Sequence, residues 1–187
     1  MDTLTALTTR VSVPRLTDPG PSDEQIDLLL RAAIRAPDHG MLRPWRFIVL
    51  RGDQRERLAD IMEQHAAETF AEADSCTLSN ARNKALRAPA VIVVVAEVTE
   101  GHKVPVWEQV LAAGAAAQNI MLAAHALGIG AMWRTGAIAE DAAVKRRLGF
   151  ADKDQVVAFI YLGTPSGTLK TLPDETPDRY VRELPDD

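Results

Sequence analysis

The segment Val110–Trp133, VLAAGAAAQNIMLAAHALGIGAMW, limits the folds open to this chain more than any other stretch. It is long and apolar enough to raise the question of a membrane span. Yet alanine dominates it, and it carries Gln118, Asn119 and His125. Polar groups at that depth in lipid are costly, so a helix buried inside protein is the better reading. A helix apolar on most faces must be covered on most of them. The small residues from Ala112 to Ala117, Gly114 among them, let another backbone approach closely. Such a helix belongs at the centre of the fold or against a second subunit.

The flanking patterns supply the other elements. Leu4 and Leu7 within Asp2–Thr9 have helical spacing. After the turn TDPGP (Thr17–Pro21), Ser22 and Gln25 form a capping-box pattern. It opens a helix over Asp23–Arg35, which Pro37 ends. Phe47–Leu50 reads as a short strand and Arg55–Ala73 as a helix. Asp74–Asn83 is polar and poorly periodic, a loop, lid or frayed helix. Ala90–Ala96, AVIVVVA, is a continuous apolar run, as expected of a strand buried on both faces. The long helix runs from about Val106 to Leu127, with Gly128 as its stop. Gly130–Thr135 and Gln155–Leu162 read as strands, with Glu140–Leu148 helical between them. Thr164–Asp187 is rich in Pro and Asp and too polar to pack alone. About four strands interleaved with helices predict an α/β or α+β layout in one domain.

Charge and cysteine content exclude whole classes. The net charge of −5 lacks the basic footprint of sequence-independent nucleic-acid binding. One cysteine, Cys76, leaves no intrachain disulfide and no cysteine zinc site. MDTLTALTTR has an early Asp and no apolar core, so it does not read as a secretion signal. A cytoplasmic setting is therefore expected. Gly128 and Gly130 follow a helix and are not followed by a third glycine at 133, so the dinucleotide fingerprint fails. The GTPSG at Gly163–Gly167 lacks the spacing of a hydrolase nucleophile elbow. No P-loop lysine motif and no HExxH occur.

Three clusters break their local patterns. Arg10-Val11-Ser12, with Arg15 nearby, offers guanidinium and hydroxyl donors suited to a phosphate, or plain surface arginines at a helix end. Arg35 and His39 sit in a loop stiffened by Pro37 and Pro44, where His39 can donate to a ligand or pair with Asp38. Trp133-Arg134-Thr135, next to Gly136, puts an aromatic and a cation at a probable strand end, a common ligand position. The other reading there is a core tryptophan beside a solvated arginine. Taken together, the clusters are consistent with a bound anionic cofactor.

Several blocks carry a resemblance. They are TRVSVPRL (Thr9–Leu16), RAAIRAPDHGMLRPWRFIVL (Arg31–Leu50), RAPAVIVVVAE (Arg87–Glu97), HKVPVWEQ (His102–Gln109), ALGIGAMWRTGA (Ala126–Ala137) and FIYLGTP (Phe159–Pro165). The chain resembles the nitroreductase family of FMN-dependent oxidoreductases, and within it the YdjA-like NAD(P)H nitroreductases. The resemblance implies an α+β three-layer sandwich, with a mixed, mainly antiparallel sheet and helices on both faces. It implies a homodimer with FMN at the subunit interface, and a tail over residues 164–187 packing on the partner subunit. It assigns Arg10, Val11 and Ser12 to the FMN phosphate and ribityl region. The family usually has a second Arg at position 11, so Val11 offers only its backbone. Arg35 and His39 become further FMN contacts. Trp133, Arg134 and Thr135 become the segment lining the isoalloxazine, with Trp107 as a second wall of the substrate pocket. Family descriptions also place nicotinamide contacts near Ala123–Gly128. The implied reaction is ping-pong, with NAD(P)H as co-substrate and a nitroaromatic, quinone or similar electron-poor acceptor. Another flavin-dependent reductase or dehydrogenase chemistry, or a non-catalytic FMN-binding module, stays open.

Overall fold

The structure is a computed structural model and describes residues 1–173 and 175–184. Asp2 caps α1 (Thr3–Thr9) by accepting from the Thr5 N–H. A two-residue strand, β1 (Leu16–Thr17), follows. α2 (Asp23–Ala33) opens on the predicted capping box: Ser22 accepts from the Gln25 N–H, and the Gln25 side chain accepts from the Ser22 N–H. β2 (Trp45–Arg51) extends the expected strand at both ends. α3 (Gln54–Thr69) stops four residues before the expected end. The polar stretch after it is neither loop nor frayed: it is α4 (Ser75–Ala85), capped by Asp74. Arg82 fastens α4 to α3 by donating to Glu56, Asp60 and Glu63, a tertiary gain that periodicity does not register.

β3 (Ala90–Ala96), α5 (Val106–Ala126) and β4 (Gly130–Arg134) lie close to their expected limits. The expected helix at Glu140–Leu148 is instead two short ones, α6 (Ala137–Glu140) and α7 (Ala142–Arg147). Asp141 separates them in extended conformation and caps the second. β5 (Gln155–Pro165) runs three residues beyond the expected end because β1 pairs with its last residues. The sheet therefore has five strands. β2 pairs with β3, β3 with β5, and both β4 and β1 with β5. The expectation of a mainly antiparallel sheet holds in its strongest form, since every pairing among the described residues is antiparallel.

The run AVIVVVA is buried at every position, and its two faces feed separate cores. Ile92 and Val94, with Ile160 and Leu162 of β5, pack under α2 and α5. Val91, Val93 and Val95, with Phe159 and Tyr161, pack under α3. A bulge keeps the two strands in step: Val94 faces Ala158, Val95 faces Val156, and Val157 is the extra residue. The result is helices, sheet and helices, with each buried Val or Ile contributing about 1.5–3 kcal/mol.

α5 meets its demand for cover only in part. Ala112, Ala113, Ala116, Ala117, Ile120, Met121 and Ala124 face the core. Asn119 donates to the Ala32 carbonyl at 3.0 Å, so one of the polar groups expected to be awkward is paired. The opposite side leaves Trp107 and Leu111 about three-fifths exposed, at 62% and 60%. No helix among the described residues is long and apolar enough to cross a membrane. From Gly167 onward the described tail is exposed, and residues 174 and 185–187 of it lie outside the described residues.

Gly163 is a sharp test of the packing where β5 passes β1. A Cβ there would meet Pro89 Cδ at 2.7 Å and the Thr17 carbonyl oxygen at 3.0 Å. Gly163→Ala should lower unfolding free energy by about 1–3 kcal/mol, read as a lower denaturant midpoint with an unchanged slope.

Candidate active site

β4 organises the site because it lies at the meeting of several elements. Its N-terminal part carries the chain entering β1: the Val13 N–H donates to the Ala131 carbonyl at 2.9 Å. Arg10, Val11 and Ser12 are therefore set alongside this strand, each half-buried. The Arg10 Nη1 is buried and has no hydrogen-bond partner among the described residues. A guanidinium nitrogen out of water and unpartnered is costly, and an anion placed there would relieve that cost.

The C-terminal end of β4 opens into a cavity of about 630 Å³. Trp133, Arg134 and Thr135 line it, as does Gly136, whose φ of 112° turns the chain into α6. Facing them are Lys84 of α4, Arg87 just before β3, and Tyr161 of β5. None of Lys84, Arg87 and Arg134 has an ion-pair partner among the described residues. Burial pushes the Tyr161 phenol up, and the positive charges of Arg87 and Arg134 pull the other way. The cavity thus combines an aromatic wall with uncompensated positive charge, a setting for an anionic, planar ligand.

A second polar group lies on the α3 side. His65 lines the cavity, and its Nδ1 is 3.3 Å from Asp141. The Val144 N–H, donating at 2.9 Å, holds the Asp141 carboxyl below its usual range, with burial opposing and His65 adding to the effect.

The predicted residues thus fall in three places. Trp133, Arg134 and Thr135 line the cavity. Arg10, Val11 and Ser12 flank the same strand without lining it. Arg35 and His39 are exposed and lie elsewhere within one chain. His39 sits in a loop with three left-handed residues, Gly40, Met41 and Arg43. It pairs with Glu108 of α5, its Nδ1 2.5 Å from the carboxylate, and not with Asp38, which accepts from the Arg43 N–H. Trp107, expected as a wall, does not line the cavity. Lys84, Arg87, His65 and Tyr161 escaped sequence reasoning. Arg87 stands in the RAPAVIVVVAE block, but nothing local marks it as facing a cavity. Lys84 lies one residue past Asp74–Asn83, the polar and poorly periodic stretch.

The nitroreductase family matches residues 7–164 of this chain. The chain belongs to the nitroreductase family. Among its relatives is the Escherichia coli K12 protein named "Putative NAD(P)H nitroreductase YdjA", 44% identical across 95% of this chain and 97% of that one. A nitroreductase-type protein of Desulfovibrio desulfuricans, solved in complex with FMN, is 30% identical. It superposes with a TM-score of 0.75, covering 99% of this chain and 98% of that one. A nitroreductase-like protein of Bacillus cereus shares the fold, with a TM-score of 0.81 at 21% identity over 98% and 96% of the two chains.

Asp141 links the cavity wall to stability. Its folded carboxyl titrates below the ordinary 3.8, so its stabilisation is present above about pH 4 and is lost as pH falls through the lowered value. Asp141→Ala should cost about 1 kcal/mol near neutral pH through loss of the α7 cap. The gap from wild type should close in acid, as read from urea unfolding across pH.

Proposed function

We propose that the chain is an FMN-dependent oxidoreductase of the NAD(P)H nitroreductase type, working as a homodimer with FMN at the subunit interface. The observation that carries the reading is the buried Arg10 Nη1 beside β4, unpartnered among the described residues, on the strand whose far end carries Arg134 and faces Lys84 and Arg87. Family membership and the FMN complex of the Desulfovibrio relative support the same group.

The residues present fit that group. Arg10 and Ser12 hold the phosphate end by charge-assisted hydrogen bonds, and Val11 contributes its N–H. Trp133, Arg134 and Thr135 line the ring, where the open space beside Gly136 leaves room for a ligand against backbone. Arg35 and His39 reach the site from the other subunit, in keeping with their exposure and distance from the cavity in one chain. When bound, FMN supplies the hydride chemistry. Lys84, Arg87 and Arg134 stabilise negative charge developing at the ring edge. No side chain acts as a nucleophile. NAD(P)H and an electron-poor acceptor, a nitroaromatic or quinone, use the cavity in turn, which makes the kinetics ping-pong.

The dimer is supported by what one chain leaves bare. Trp107 and Leu111 of α5 and Leu169, Leu172, Tyr180 and Val181 of the tail are exposed. A partner receiving residues 164–187 would cover them. The free, exposed Cys76 suits a reducing cytoplasm.

The purified protein should be yellow, or become so with FMN, and should bleach when NADH or NADPH is added without oxygen. Inability to load FMN would sink the reading; a flavin that binds but never bleaches would leave a non-catalytic FMN-binding module. Arg10→Ala should weaken FMN binding by about ten- to a hundredfold, measured by quenching of flavin fluorescence. An unchanged affinity would remove Arg10 from the site.

A further inference from the structure

The His39–Glu108 pair joins the Asp38–Pro44 loop to α5 at 2.5 Å, and the segments on both sides of it are held in place. On the α5 side, the next residue, Gln109, is 1% exposed. It accepts from the Thr99 N–H and donates to the Thr99 and Val104 carbonyls, at 2.8–3.1 Å. The first turn of α5 is thereby locked to the loop before it. On the other side, Asp38 accepts from the Arg43 N–H at 2.6 Å. Gly40, with φ of 75°, lies so close to Val104 that a Cβ would meet its Cγ2 at 3.1 Å. A loop holding Met41 and Arg43 at positive φ stores backbone strain, which persists only where the surroundings enforce it.

The nitrogen that Glu108 engages is Nδ1. A carboxylate only accepts hydrogen bonds, so it keeps a proton on that nitrogen. The imidazole's other nitrogen, Nε2, is then the one left for a ligand. It accepts while the ring is neutral and donates when the ring is charged. Charged and titratable groups on the elements next to His39 are Asp38 and Arg43 on its own loop, Glu108 on α5, and His102 and Lys103 on the loop packed against Gly40.

We propose that Glu108 is a positioning residue of the flavin site: through Nδ1 it sets the tautomer and orientation of His39 and so commits Nε2 to the bound flavin. This deepens the reading of His39 as an FMN contact and rests on it. Glu108 itself need not touch the cofactor.

The test is a double-mutant cycle on FMN affinity with Glu108→Gln, His39→Ala and the double variant, joined by nitrogen NMR of the histidine rings. Glutamine preserves shape but both donates and accepts, so it no longer holds the proton on Nδ1. Glu108→Gln should weaken FMN binding about tenfold. It should also abolish the Nδ1-protonated signature, which His39→Ala assigns to this ring. In the His39→Ala background it should have no further effect, because Glu108 acts only through His39. An equal loss in both backgrounds, or an unchanged tautomer and affinity in Glu108→Gln, would overturn the proposal and leave the flavin reading standing. If His39→Ala retains full affinity, His39 is not a flavin contact and the proposal falls with it. Arg10→Ala then still tests the flavin reading.

Discussion

Everything in this fold depends on a sheet whose central strands are buried from both sides. β3 has no position that tolerates water, and its alternate side chains supply two cores at once. Such a strand requires helices above and below, and α5 with α2 and α3 with α4 answer that requirement. β5 is bound to the same constraint and is long enough to pair with three neighbours. The bulge at Val157 lets it do so without turning a hydrophobic face outward.

The site follows from where that sheet stops being covered. β4 leaves the two-sided core at Trp133, and beyond it the chain must turn at Gly136 before α6 begins. The strand end, α4 and the segment before β3 converge there, and each brings a cation that meets no carboxylate among the described residues. Other arginines do meet carboxylates: Arg82 has three, and Arg31, Arg46, Arg51, Arg146 and Arg147 have one each. What sets Lys84, Arg87 and Arg134 apart is that they converge on one cavity, and a ligand's negative charge is the simplest physical complement to them.

Much of this was visible before folding. Capping residues announced α2, an unbroken apolar run announced β3, and alanine content announced a helix packed closely on its neighbours. Trp133-Arg134-Thr135 stood out for the same reason it matters, a bulky aromatic and a cation at a strand end. α4 was not legible, because Arg82 stabilises it against carboxylates more than nineteen positions earlier in the case of Asp60 and Glu56, at separations of 22 and 26. Lys84, Arg87, His65 and Tyr161 were not legible as a group either. They lie on three elements and the segment before β3, and only packing puts them around one space. His39 was read beside Asp38, its sequence neighbour, whereas its partner Glu108 is 69 residues away.

The amino-acid sequence alone determined most of the elements, since helix caps and strand patterning act through residues close along the chain. It also determined the family, through blocks spread over most of its length. Tertiary structure alone decided which charges stay unpaired, which histidine nitrogen meets a carboxylate, and which strand end opens into a cavity. Electrostatic pairing and desolvation depend on distance in space, and distant parts of the chain set those distances only once the sheet has closed.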